Sequence, residues 1–139
     1  MNNTYTEISV ETTVNEPVEK VWKLWTTPDD ICQWNNPSDD WHSPRVEIDL
    51  KDEGQFLFRM EAKDGSTGFD HSGKYNKVIT HELIEYTVFD GRRSTIKFIP
   101  NGNETTIIEI FDAEPETPVE MQRNFCEAIL ASFKRYAEK

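Results

Sequence analysis

Three dipeptides, Asp64-Gly65, Asp90-Gly91 and Asn101-Gly102, punctuate the chain at the spacing of successive hairpins. Asx-Gly pairs supply the left-handed backbone that tight hairpin turns require. The runs around them alternate with period two. Val46, Ile48 and Leu50 alternate with Glu47 and Asp49, and Phe56, Phe58 and Met60 with Leu57, Arg59 and Glu61. Alternation of this kind puts one face of a strand in a core and the other in water. It predicts strands over residues 45–50, 55–63, 67–79, 82–89, 93–99 and 105–113. One more is predicted upstream, where Ile8, Val10, Thr12 and Val14 share a face opposite Glu7, Ser9 and Glu11. The expectation is seven antiparallel strands.

Two stretches change period. After Pro17, residues Val18, Val21, Trp22 and Trp25 recur at helical spacing, and Thr27-Pro28-Asp29-Asp30 reads as a second helix start with Thr27 as the capping hydroxyl. That helix carries Ile31 and Trp34 and ends before Asn35-Asn36-Pro37. Residues 35–44 read as a polar loop holding Trp41 and His42. Near the end, Thr117-Pro118-Val119-Glu120 reads as a capping box opening a long helix. Its stripe is Phe125, Ile129, Phe133 and Tyr136, widened by Cys126, Leu130 and Ala137.

The length of 139 residues suits one domain over residues 1–139, with no repeat or linker. Aromatic residues make up 12% of the chain, which argues against disorder. The net charge of −11 (15 basic against 26 acidic residues) argues against nucleic acid and anionic membranes as partners. Six acids and no base lie between Lys97 and Arg123. Cys32 and Cys126 are compatible with one long-range disulfide but not with a disulfide scaffold. Met1 to Tyr5 shows no basic or apolar leader, and no run approaches the ~20 apolar residues of a membrane span. The expectation is a cytoplasmic protein without membrane insertion, monomeric or homodimeric.

A strand, two short helices, six strands and a long helix fit a curved sheet closed by the last helix. The chain resembles the helix-grip (START-like, SRPBCC) superfamily, in the branch named after the activator of the heat-shock-protein-90 ATPase. The resemblance spans Glu7 to Tyr136. It rests on Pro17-Val18-Glu19-Lys20-Val21-Trp22, Thr27-Pro28 with Trp34, Asp39-Asp40-Trp41-His42-Ser43-Pro44, Met60-Glu61-Ala62-Lys63-Asp64-Gly65, Gly73-Lys74-Tyr75 and Val119-Glu120-Met121-Gln122-Arg123 through Ile129-Leu130. It implies an α+β helix-grip fold: a curved seven-stranded antiparallel sheet wrapped around a long C-terminal helix, with two short helices after the first strand. Two positions depart from the family's habit. Glu53-Gly54 stands where relatives often carry Gly-Gly, and Asn124-Phe125 where they often carry Gly-Trp.

No Gly-x-Ser-x-Gly elbow, CxxC, HExxH, EF-hand or phosphate loop is present, so no catalytic residue, metal ligand or cofactor is assigned. On the fourth strand Phe69, His71, Gly73 and Tyr75 share a face, and Glu85 or Thr87 on the next strand is placed to approach His71. Such a pair serves either as a proton-transfer dyad or as a satisfied buried contact. Trp41 is either a lid over the cavity mouth or an anchor for its loop. The predicted function is binding of a small hydrophobic or amphipathic ligand between sheet and helix. Trp34, Trp41, Phe58, Met60, Phe69, Phe125, Ile129 and Phe133 are expected to line the cavity, and His42, His71 and Tyr75 to orient the ligand. The resemblance implies a lipid, polyketide or flavonoid-like molecule. Binding is favoured over catalysis. The alternatives are a cyclase/aromatase-type enzyme using polar cavity groups and a co-chaperone-like interaction module.

Overall fold

The computed structural model describes residues 5–139; Met1 to Thr4, on which the reading of a missing leader partly rests, lie outside the described residues. The elements are β1 (Glu7–Val14), α1 (Val18–Thr26), α2 (Pro28–Trp34), β2 (Trp41–Ile48), β3 (Gln55–Ala62), β4 (Gly68–Ile79), β5 (Leu83–Val88), β6 (Arg93–Asn101), β7 (Glu104–Asp112) and α3 (Val119–Ala137). The seven strands form one antiparallel sheet in the order β1-β7-β6-β5-β4-β3-β2. From β2 to β7 this is a meander. β1 joins beside β7, so the first strand and the last helix meet at one edge.

α3 lies against β1 and across α2. Two of its cations reach the edge strand: Arg123 Nη1 donates to the Ser9 carbonyl (3.0 Å) and Lys134 Nζ to the Thr13 carbonyl (2.6 Å). Those carbonyls would otherwise offer a pairing edge to another chain. At the other end Ser132 Oγ donates to the Trp34 carbonyl (2.8 Å). Trp25, Trp34 and Phe133 then form a three-ring cluster with centroids 4.6–5.0 Å apart, which joins α1, α2 and α3.

Three local expectations need correction. Trp41 and His42 do not lie in a loop; they open β2, and a bulge between His42 and Arg45 absorbs Pro44. Inside that bulge Ser43 is buried, donating to the Asn35 carbonyl (2.6 Å) and accepting from Asn35 Nδ2 (3.2 Å). Thr27 caps nothing, because its hydroxyl turns back to the Lys23 carbonyl (2.6 Å) and finishes α1. Thr117 likewise bonds Glu114 Oε2 (2.6 Å), leaving Pro118 as the uncapped N-cap of α3. The segment before α3 is held instead by Gln122. Its Nε2 donates to the Glu114 and Thr117 carbonyls and its Oε1 accepts the Glu114 N–H, all at 2.8 Å.

Both cysteines are free. Among the described residues no helix is long and apolar enough to cross a membrane, and no group of three or more His, Cys, Asp or Glu side chains could hold a metal.

Candidate functional site

Between α3 and the inward face of the sheet lies a cavity of about 570 Å³. Strand parity builds its floor. Phe56 and Phe58 on β3, His71 and Tyr75 on β4, and Tyr86 on β5 turn their rings to the same side. Phe56 is the hub, with centroids 5.6 Å from Phe58, 5.6 Å from His71, 5.1 Å from Tyr75 and 4.9 Å from Tyr86. It lies across Gly73, where a Cβ would fall 2.2 Å from the Thr87 carbonyl oxygen and 3.0 Å from the Phe56 ring, so no larger residue fits. Phe125, Cys126 and Ile129 of α3 make the roof. At the mouth Phe69, Phe89 and Met121 are 42, 74 and 59% exposed, an apolar rim facing water.

Of the residues expected to line the cavity, Trp34, Phe58, Met60, Phe69, His71, Tyr75, Phe125 and Ile129 meet around it. Three do not. Phe133 is 0% exposed and packs into the ring cluster with Trp25 and Trp34, filling the end of the grip rather than opening onto the cavity. Trp41 stands behind the rim, its centroid 6.2 Å from both Phe69 and Phe125, and so supports the mouth without lining it. His42 points away and approaches Glu61 Oε1 (3.4 Å) on β3.

The polar groups of the interior differ from expectation. His71 does face inward, but Glu85 and Thr87 do not approach it. They pair with Lys77 and Lys74 across β4, and Thr87 Oγ1 accepts from the exposed Asn76 side chain (2.7 Å). The partner of His71 is Tyr86, with Nε2 3.4 Å from the phenol oxygen. Burial, helped by nearby Arg92, lowers the His71 pKa to about 4, so the ring is neutral. Burial raises the pKa of the Tyr86 phenol and of the Cys126 thiol, and the Glu109 charge adds to both shifts.

Glu109 on β7 is the group that sequence reasoning missed. It stands in the inward register of Ile107 and Phe111, opposite Val10 and Ile96, and opens onto the cavity. Four acids line the cavity: Asp70, Glu109, Asp112 and Glu114. Three are engaged: Asp70 accepts from Arg59 Nη1 (3.3 Å), Asp112 from the Arg93 N–H (2.9 Å) and Glu114 from Thr117 (2.6 Å). Among the described residues Glu109 has no hydrogen-bond or ion-pair partner, and burial pushes its pKa up to about 7. Arg92, the one base of the lining, is tied to Asp90 by a 2.7 Å bond from Nε. An acid in the apolar register of β7 is the signal that could have found Glu109.

A sheet gripping a helix over a ring-lined cavity defines a protein of the helix-grip (SRPBCC) class. The family profile described as Activator of Hsp90 ATPase homolog 1-like protein matches residues 15–138. The chain belongs to that family. The solution structure of an AHSA1-like protein from Aeromonas hydrophila is 37% identical, with a TM-score of 0.88 over 96% of this chain and 92% of that one. A protein from Cytophaga hutchinsonii is 48% identical, with a TM-score of 0.83 over 95% and 92% of the two chains. A crystal structure from Chromobacterium violaceum, 19% identical, shares the fold at a TM-score of 0.87 over 96% and 99%. No curated protein matches the chain.

Proposed function

We propose that this protein binds a small hydrophobic or amphipathic molecule in the cavity under α3, without transforming it. The observation that carries this reading is a partly open 570 Å³ space whose walls are mainly apolar and whose mouth bears exposed rings. Each 100 Å² of apolar ligand surface buried there adds roughly 2.5 kcal/mol before the cost of association. The floor of Phe56, Phe58, Tyr75 and Tyr86 favours a planar, ring-containing ligand of the polyketide or flavonoid kind over a flexible lipid chain.

A second reading, acid–base chemistry of the cyclase/aromatase type, is favoured by one observation: a carboxyl poised near pH 7 faces the same space as a neutral imidazole and a phenol. Native mass spectrometry of fresh protein, set beside its denatured mass, tests the binding reading, with Nile red titration as a second probe. The expected result is an adduct lost on denaturation, or saturable Nile red fluorescence. Absence of both overturns the reading. Chemical change in the extracted molecule during incubation would favour the second.

A further inference from the structure

The cavity's shape says apolar ligand; its charges say more. A carboxylate-bearing ligand such as a fatty acid would meet four acids in the lining, Asp70, Glu109, Asp112 and Glu114. The one guanidinium in the lining is already held by Asp90. Inside, the half-buried Glu109 carboxyl opens onto the cavity with no partner among the described residues, while the groups its charge acts on, Tyr86 and Cys126, carry no positive charge. A desolvated acid without a partner is costly, and the cost falls when a donor arrives from a ligand.

We propose that the cavity selects an apolar molecule carrying a protonated amine, which Glu109 receives as an ion-paired hydrogen-bond donor. The inference rests on the cavity-binding reading above and adds the ligand's polar group. Tyr86 and His71 are bonded to each other on the neighbouring strands, which leaves Glu109 as the one lining carboxyl without a partner among the described residues. The acids of the lining favour a cation over an anion. The chain's charge of −11 adds to that field.

The titratable groups that line the cavity with Glu109 are Asp70, His71 and Tyr75 from β4, Tyr86 from β5, Cys126 from α3, Arg92 in the turn before β6, Asp112 at the end of β7 and Glu114 just beyond it, and the Glu109 charge acts on Tyr86 and Cys126. His71 titrates near pH 4, and burial moves Tyr86 and Cys126 upward, away from neutrality. Amine binding therefore follows the ionisation of Glu109 between pH 6 and 8.

Three naphthalene probes test this by calorimetry: naphthylmethylamine, naphthylmethanol and naphthoate. The expected order is amine, then alcohol, then carboxylate, with the amine about tenfold tighter than naphthoate at pH 8. The amine's affinity should rise about fivefold from pH 6 to pH 8, while that of the alcohol stays level. In Glu109→Gln the amine's advantage over the alcohol should fall to within about threefold and lose its pH dependence. Naphthoate or naphthylmethanol binding as tightly as the amine overturns the inference, as does an amine affinity flat with pH in the unaltered protein. If Nile red and all three probes fail to bind, the cavity reading falls and takes this inference with it.

Discussion

Replacing Glu109 by Gln should change how stability depends on pH, and the size of the change follows from where the carboxyl sits. Its pKa rises from 4.5 to about 7 on folding, because burial penalises the charged form and no cation compensates. A raised acid holds its proton longer in the folded state than in the unfolded state. Its favourable contribution is complete below pH 4.5 and is lost as pH rises to about 7. At 1.36 kcal/mol per unit over this interval, the folded protein loses about 3 kcal/mol that Gln, which cannot ionise, does not lose. His71 has the opposite sign: its pKa falls from 6.5 to about 4, so its contribution is present above pH 6.5 and disappears as pH drops. The two slopes oppose each other in the unaltered protein, so the informative quantity is the difference between the two proteins. Urea unfolding at half-unit steps from pH 4 to 8 would measure it. The midpoint of Glu109→Gln should gain about 1.5 M on the unaltered protein across that range. Curves that stay parallel would refute the reasoning, since a desolvated carboxyl without a partner among the described residues cannot leave the difference constant.

Glu53 sits at φ 69° before β3, a left-handed backbone that costs an L residue energy and glycine none. Glu53→Gly should raise stability by about 1 kcal/mol in the same urea assay, because the exposed pair it gives up with Lys74 (3.7 Å) is worth little. Phe133→Ala should cost about 3–5 kcal/mol by removing the centre of the three-ring cluster. Phe125→Ala, on the cavity roof, should cost only about 1–2 kcal/mol and should show its main effect in Nile red binding.

The strands were legible because period-two alternation and Asx-Gly turns are local signals, and such turns join β3 to β4, β5 to β6 and β6 to β7, while His81 at φ 67° makes the turn from β4 to β5 without one. Trp41 was misplaced because Pro44 and its polar neighbours read as loop, whereas a bulge lets a strand carry a proline and bury Ser43. The capping threonines show a second limit. Thr27 and Thr117 have the right neighbours, but carbonyl and carboxylate acceptors nearby take their hydroxyls. In the cavity, parity placed His71 and Tyr75 on one face, but which residue faces His71 depends on register. β4 carries an irregularity between Tyr75 and Lys77, so Tyr86 sits opposite Tyr75 while Glu85 meets Lys77 on the other side. Glu109 was readable by the same parity. In a chain with 26 acids, one more acid looks like surface.

The bonds from α3 to the carbonyls of Ser9 and Thr13 have a mechanical meaning. They fasten the helix along β1, while Ser132 and the Trp25–Trp34–Phe133 cluster fasten its later turns to α1 and α2, so the protein is built like a box whose cover is held along one side and at one end. An oversized guest would meet least resistance along the margin without such bonds, where Phe69 and Met121 line the exposed mouth of the cavity. The upper limit on guest size is then set by how firmly these two margins hold as well as by the 570 Å³ at rest.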